Sequence, residues 1–150
     1  MATEIPPSST FTGLAQKVIA YGEAFEHVIA ALKQGEASEA DWAGLEALVD
    51  AAAFERVGMF LTAEVETIDW ATYKHYVSEY GHMTHWDGKL RRITESGNVV
   101  FQELEERNTR AIDGKPMASI SNTVTVFEFN SAGRIVHLDV YVAHLRDQPA

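Results

Sequence analysis

The residues best suited to acid–base chemistry lie close together in the segment 101–108, Phe-Gln-Glu-Leu-Glu-Glu-Arg-Asn. The segment has the alternation of a strand, yet it contains three glutamates and an arginine. Whichever face is covered must therefore bury charge, which is costly unless the charged group is paired or used in catalysis. Alternatively, one face lies in water and its charges pair across strands. Alternation gives one face with Gln102, Leu104, Glu106 and Asn108, and another with Phe101, Glu103, Glu105 and Arg107.

A further arginine lies inside a predicted strand nearer the N-terminus. Residues 54–61 are rich in Phe, Val and Met, which predicts a strand with Phe54, Arg56 and Gly58 on one face. Arg56 is therefore a second candidate for a functional charge.

Aromatic side chains follow in a predicted third helix, which Asp69 caps and Gly81 ends. Trp70, Tyr73 and Tyr80 share one face of this helix. They could line the mouth of a pocket, stack on a flat ligand and donate a hydroxyl to it. A stripe with this spacing is also typical of a hydrophobic core.

Two histidines, His82 and His85, are spaced as metal ligands can be, but they follow the end of the helix and have no partnered acidic motif. We therefore predict no metal site. Histidine titrates near neutral pH, so one of them could donate a proton at a pocket rim, with Trp86 excluding water.

Composition limits the classes of partner. The chain has 150 residues, 46% of them apolar, which fits one domain with its own core. It has no cysteine, and its net charge of −10 argues against nucleic-acid or anionic-membrane partners. Neither a signal peptide nor a membrane span is predicted, so we expect a soluble, cytoplasmic protein. Residues 1–9 are expected to be a mobile arm or one laid on a partner subunit, and 10–150 a single domain.

The predicted elements place the helices first and the strands last. Helices are predicted at 10–33, capped by Thr10, at 38–50, capped by Ser38 with Asp41, and at 69–81. Strands at 86–95, 99–110, 119–129 and 135–142, joined by turns at 96–98, 112–115 and 130–133, form an antiparallel meander. This order predicts an α+β fold with the helices on one face of the sheet.

The order of elements, together with the residues at 99–108 and 125–142, resembles the nuclear transport factor 2-like superfamily. The likeness covers roughly residues 10–145 and is sharpest in the last hairpin, with its Asn-x-x-Gly-Arg-Ile turn. Within the superfamily, the sequence most resembles the SnoaL-like enzymes, the ketosteroid isomerases and the limonene-epoxide hydrolases. The resemblance implies a cone in which three N-terminal helices pack on a strongly curved, mostly antiparallel sheet that encloses an apolar pocket. It also implies a homodimer formed through the sheet.

The resemblance also implies which side chains face the pocket. Glu106 falls where the epoxide hydrolases keep a pocket carboxylate. Their arginine and second aspartate are replaced by Leu104 and Val140. The general-base aspartate of the isomerases is replaced by Arg56, their oxyanion-binding acid by Thr125, and their oxyanion-binding tyrosine by an apolar residue near Val28. The side chains implied to point inward are Leu104, Glu106, Asn108, Thr125, Phe127, Leu138, Val140 and Val142.

Arg56 and Glu106 would then face one apolar cavity, where they either neutralise each other or share a substrate. In the second case Glu106 moves a proton, while Arg56, with Asn108 or a tyrosine, stabilises the oxygen that gains charge. This predicts a lyase or isomerase that needs no cofactor and acts on an apolar aromatic or polycyclic hydroxylated molecule. The reaction would be dehydration, retro-aldol cleavage such as formaldehyde release, or a double-bond shift. The residues predicted to bind the substrate are Tyr73, Tyr80, Trp70, His85, Trp86, Leu104, Thr125, Phe127, Leu138 and Val140.

Three alternatives remain open from the sequence. The protein could be a non-catalytic protein that binds a hydrophobic ligand or assembles through its sheet. It could be an epoxide hydrolase, although the missing second aspartate argues against this. The sheet could also face the other way, in which case the site would consist of Glu105, Arg107, His137 and Asp139.

Overall fold

The computed structural model describes residues 4–60, 64–83, 85–112 and 114–149, with the backbone alone at 110–112. Its helices are α1 (Gly13–Lys33), α2 (Glu39–Glu46) and α3 (Trp70–Tyr80). Its strands are β1 (Glu55–Gly58), β2 (Glu66–Asp69), β3 (His85–Ser96), β4 (Val99–Ile112), β5 (Lys115–Phe129) and β6 (Ile135–Pro149). Within the described residues they form one sheet in the order β2-β1-β6-β5-β4-β3, in which only β1 and β6 pair in parallel. The predicted α+β class and the mostly antiparallel sheet are confirmed.

The start of α1 differs from the prediction. Thr10 does not cap this helix: it ends a short 3-10 turn and donates its hydroxyl to the Pro7 carbonyl at 2.7 Å. The helix begins after Thr12, and the backbone N–H groups of Leu14 and Ala15 donate to the Glu95 carboxylate at 3.2 and 3.3 Å. A carboxylate from β3 thus satisfies the free N–H groups of the first turn, and no local pattern reveals so distant a cap.

Ahead of the helix, the N-terminal segment is described from Glu4 onward. The backbone N–H of Glu4 donates to the Gly88 carbonyl at 2.8 Å, so the segment lies along the outer edge of β3. Residues 1–3 of the predicted arm lie outside the described residues.

The caps of α2 and α3 agree with the sequence. Ser38 and Asp41 form a capping box, and Asp69 accepts a hydrogen bond from the Thr72 N–H at 2.9 Å. Helix α2 ends at Glu46, earlier than predicted, because the following residues turn to pair with β6. There Val49 bridges Ile135, and the Asp50 N–H donates to the Ile135 carbonyl at 2.9 Å.

The first predicted strand is shorter than expected, and a second strand beside it was not predicted. Strand β1 ends at Gly58, and Leu61 lies outside the described residues. Strand β2 was missed because it has four residues and buries the side chain of only one of them, Ile68. It pairs with β1 and completes one edge of the sheet.

The predicted four-strand meander is confirmed, with longer strands than the sequence indicated. Strand β5 begins at Lys115 and β6 continues to Pro149, while Asp113, at a predicted turn position, lies outside the described residues. The register pairs Glu106 with Ser121, and Thr125 with Val140. The ends of these long strands lack a strong alternation of polar and apolar residues, so the sequence pattern predicted shorter hairpins.

One face of the sheet packs on the helices. Phe127 and Leu138 on this face join Tyr21, Val28 and other helix residues in a single core. On the opposite face Glu105, Arg107 and Tyr141 are exposed. The helices therefore cover the face that carries Glu106. The alternative prediction, in which Glu105 and Arg107 lie on the covered face, is wrong. None of the helices in the described part of the chain is long and apolar enough to cross a membrane.

Candidate functional site

Glu106 is a partly buried acid on the helix-covered face of β4. Its Oε2 accepts a hydrogen bond from the Thr123 hydroxyl of β5 at 2.8 Å, and the Trp86 side chain of β3 also donates to it. Burial raises the pKa of Glu106 above its ordinary value, and this outweighs the two hydrogen bonds and the charge of Arg56, which favour the ionised form. A carboxyl group with a raised pKa is suited to taking and giving protons near neutral pH.

Arg56 is a buried cation on β1, with 9% of its surface exposed. Its Nη2 donates to the Met59 carbonyl at 3.1 Å, and its guanidinium carbon lies 4.7 Å from the centre of the Phe60 ring. Within the described part of the chain, Nη1 is buried without a hydrogen-bond partner. Burial lowers the pKa of Arg56, but a guanidinium keeps its charge in proteins. The site therefore holds a positive charge with one buried nitrogen, Nη1, that donates to no acceptor in the described part of the chain.

The two charged residues share one face of the sheet but do not form an ion pair. Strands β6 and β5 lie between β1 and β4. Each residue's charge affects the pKa of the other, yet no ion pair joins Arg56 and Glu106 among the residues that the structure describes. The arginine is thus not neutralised by direct contact with this acid.

A pair of tyrosine hydroxyls lies near Arg56. The hydroxyl oxygens of Tyr21 on α1 and Tyr73 on α3 are 2.7 Å apart, and both side chains are buried. Burial raises the pKa of each phenol, so both remain protonated. Tyr73 was predicted at the site and Tyr21 was not, although Tyr21 is spaced with Val18, Phe25 and Val28 along the apolar face of α1.

The remaining predicted site residues fall into two groups. Those on the covered face of the sheet are Leu104, Phe127 and Leu138, which are buried, and Asn108, Thr125 and Val140, which are partly buried. Gln102 and Thr123 are buried polar residues on this same face that the sequence reasoning missed, although alternation groups Gln102 with Glu106. Among the aromatic residues, Trp70 packs in the core, with its ring centre 5.0 Å from that of Phe54. Tyr80 is 47% exposed, and His85 is also exposed.

Two open cavities are lined by described residues, and neither Glu106 nor Arg56 is among the lining residues of either. One, of about 440 Å³, is lined by residues of β1, β2 and α3, including Glu66 and Tyr76. The other, of about 180 Å³, lies at a bulge between β5 and β6 and is lined by residues that include Arg91, Asn122 and Arg146. Within the described ranges no group of three or more acidic or histidine side chains could hold a metal ion.

Solved structures with little sequence identity share this arrangement of helices and strands. A protein from Shewanella putrefaciens assigned as a SnoaL-like polyketide cyclase aligns with a TM-score of 0.64 at 12% identity, over 96% of this chain and 92% of its own. An NTF2-like protein from Burkholderia thailandensis aligns with a TM-score of 0.59 at 17% identity, over 88% of this chain and 92% of its own. The CaMKII hub of S. rosetta aligns with a TM-score of 0.58 at 14% identity, over 89% and 99%.

The sequence itself matches no family model and no curated protein. The structural likenesses, in contrast, extend over most of the chain and agree with the helix and strand order described above. The resemblance predicted from the last hairpin is therefore confirmed at the level of the fold. The chain has the nuclear transport factor 2-like fold.

Proposed function

We propose that the protein is a lyase or isomerase that performs acid–base chemistry on an apolar aromatic or polycyclic hydroxylated molecule. The observation that carries the proposal is the partly buried Glu106, with its raised pKa, on the same covered face as Arg56, whose Nη1 has no hydrogen-bond partner among the described residues. The assignment of the Shewanella protein as a polyketide cyclase supports a small-molecule enzyme on this fold. A raised pKa alone also occurs at structural sites, so the geometry of both groups is needed.

The proposed roles follow from the chemistry of the two groups. Glu106 takes a proton from carbon, or from a hydroxyl in a retro-aldol cleavage, and returns a proton to the leaving oxygen or to carbon. Arg56 stabilises the oxygen on which negative charge develops. Apolar side chains on the covered face, Leu104, Phe127 and Leu138, would keep water from the reacting atoms.

Proton transfer at carbon can be tested without knowing the natural substrate. We would follow hydrogen–deuterium exchange at the carbons next to the carbonyl of 2-tetralone, an apolar bicyclic ketone, by NMR. Glu106→Gln should lower the enzyme-dependent rate by about 100-fold or more. Glu105→Gln removes the same charge from the exposed face of the same strand and should leave the rate unchanged. Exchange no faster than in buffer, or equal rates in wild type and Glu106→Gln, would contradict the proposal.

A second candidate function is a non-catalytic assembly protein. The CaMKII hub shares the fold, and the uncovered face of the sheet exposes Phe101 and Tyr141 at 44% and 58%. Exposed apolar side chains of this kind favour association of two copies through the sheet. Sedimentation of the wild type and of Tyr141→Glu would test the association. An assembly protein without enzymatic function would show a Tyr141-dependent oligomer and no exchange of 2-tetralone.

An epoxide hydrolase is the weaker alternative. Such an enzyme needs a positioned water, and the two positions at which the resemblance expects an arginine and a second aspartate are Leu104 and Val140. Hydrolysis of styrene oxide that is lost in Glu106→Gln would favour this alternative over the lyase or isomerase.

A further inference from the structure

We propose that Arg56 and the Tyr21–Tyr73 hydroxyl pair form a subsite for an anionic oxygen, so that the substrate binds as an aromatic carboxylate or phenolate. This inference rests on the proposed function, because it assumes that the substrate occupies the helix-covered face of the sheet. It adds to that function the charge of the molecule that is recognised.

The first observation is the incomplete coordination of Arg56. The guanidinium donates to one neutral acceptor, the Met59 carbonyl, and one of its faces is covered by the Phe60 ring. Nη1 is buried and, within the described part of the chain, no atom accepts from it. A buried cation without a partner is unfavourable, whereas a bound anion would satisfy both the charge and the free N–H groups.

The second observation is that the tyrosine pair has two hydroxyl protons, only one of which is used in the hydrogen bond between them. Two phenol hydroxyls share one hydrogen bond, so one of the two hydroxyl protons is left to donate elsewhere. Neither hydroxyl contacts another acceptor among the residues that the structure describes. The pair therefore has one free O–H.

The third observation is that Arg56 and Tyr73 both lie beside one aromatic ring, that of Phe60. Phe60 lies 4.7 Å from the Arg56 guanidinium carbon and 5.9 Å from the centre of the Tyr73 ring. The charge of Arg56 also acts on the pKa values of both tyrosines, which places all three polar groups in one neighbourhood. Free N–H groups and a free O–H in an apolar environment favour an anionic oxygen over a neutral carbonyl.

The fourth observation concerns charge balance. Burial favours the neutral form of Glu106 by raising its pKa, and no ion pair connects this acid to Arg56 within the described residues. Arg56 therefore has a positive charge that no ion pair of the described residues neutralises, although the whole chain has a net charge of −10. A substrate with one negative charge would neutralise it and leave Glu106 free to move a proton.

The test compares two ligands of nearly the same shape, 2-naphthoate and the neutral 2-naphthamide, by titration calorimetry. We expect the carboxylate to bind about 10-fold more tightly or better, because a hydrogen bond to a charged group is stronger than one to a neutral group. Arg56→Gln should abolish this preference. Arg92→Gln removes the same charge from an exposed side chain and should preserve it. Equal affinities in wild type would exclude carboxylates as ligands, and a preference that survives in Arg56→Gln would overturn the inference.

The phenolate arm uses 4-nitrophenol, whose absorbance reports its own ionisation. Bound to wild type it should ionise at lower pH than in water, and this shift should shrink in Tyr21→Phe and Tyr73→Phe. Arg56→Lys keeps the charge and should retain the shift in part, which distinguishes loss of the subsite from loss of folding in Arg56→Gln. A shift with 4-nitrophenol and no preference for 2-naphthoate would assign the subsite to phenolates, and the reverse result to carboxylates. No shift and no preference would overturn it.

The two proposals can fail separately. If 2-tetralone exchange requires Glu106, but wild type neither prefers 2-naphthoate nor shifts the ionisation of 4-nitrophenol, only the anionic subsite is wrong. If 2-naphthoate is preferred in wild type and in Glu106→Gln, but no exchange occurs, the subsite stands and the catalytic proposal falls.

Discussion

The Thr123 hydroxyl donates to the Glu106 carboxylate at 2.8 Å, from the strand next to β4 and on the same covered face. This hydrogen bond favours the ionised acid and so works against burial, which favours the neutral one. The protonation state of Glu106 therefore depends on how many donors remain around it.

Removing the Thr123 donor should move the pH dependence of catalysis. In Thr123→Val the ionised form of Glu106 loses a hydrogen bond, so the pKa of Glu106 rises further. If Glu106 acts as the base, the acidic limb of the 2-tetralone exchange profile should move to higher pH. Thr125→Val changes a neighbouring residue on the same face with no hydrogen bond to Glu106, and the limb should stay in place. Identical limbs in wild type and Thr123→Val would contradict the assignment.

Glu106 should also affect stability in a defined pH window. Its folded pKa is raised above 4.5, so the folded state holds a proton that the unfolded state releases. The contribution of Glu106 to the free energy of unfolding should fall as pH rises from about 4.5 through its folded pKa, and Glu106→Gln removes this loss. Urea unfolding across pH 4–8 should show the variant gaining stability relative to wild type through this window.

Glu103, on the other face of the sheet, is a control whose contribution to stability should change with pH in the opposite direction. A hydrogen bond from Arg92 lowers the pKa of Glu103, so its contribution is present above its ordinary value of 4.5 and is lost as pH falls through the folded pKa. Glu103→Gln should therefore lose stability relative to wild type as pH rises through this region. If the difference in stability between each variant and wild type did not change with pH, neither carboxyl would have a shifted pKa.

The contact between Glu95 and the start of α1 should contribute to stability. Its carboxylate accepts from the Leu14 and Ala15 N–H groups at the positive end of the helix. Glu95→Ala leaves both donors to water and should lower the free energy of unfolding by about 1 kcal/mol, as loss of a cap does. Glu105→Ala, an exposed strand position, is the matched control and should cost less. Chemical denaturation followed by circular dichroism measures both, and equal losses would show that the cap contributes nothing.

The features predicted from the sequence depend on contacts close together in the chain. Ser38 and Asp69 were identified as caps because each bonds to a residue three positions ahead. Alternation and the turn residues between 125 and 142 predicted the last hairpin, and the likeness of that hairpin to a known fold predicted which face is covered. These signals lie within single elements or between neighbouring strands.

The features that the sequence did not predict join distant elements. Glu95 accepts from helix N–H groups 80 and 81 residues before it, and the Tyr21 and Tyr73 hydroxyls meet across 52 positions. Strand β2 forms because β1 pairs with β6 and leaves a free edge, not because its own residues have a strong strand pattern. The donors around Arg56 could not be found by spacing, since they depend on how helices pack on the sheet.

His137 on the uncovered face lies between two carboxylates, and this predicts a pH-dependent contact between β1 and β6. Its Nε2 is 3.0 Å from Asp139 Oδ1 and its Nδ1 is 3.5 Å from Glu55 Oε1, so both nitrogens can donate only when the ring is charged. Burial opposes this charge, but Asp139 and Glu55 outweigh it and raise the pKa of His137 above 6.5. The stabilisation is complete below pH 6.5 and is lost as pH rises through the folded pKa.

Asp139→Asn removes the nearer carboxylate and should lower the pKa of His137 toward or below 6.5, because burial then meets less opposition. An NMR titration of the imidazole protons measures this pKa directly. Glu128→Gln is the control, since Glu128 lies opposite His137 in the strand register but, among the described residues, forms no ion pair with it. A wild-type pKa at or below 6.5, or one that Asp139→Asn leaves unchanged, would show that the carboxylates do not hold the ring in its charged form.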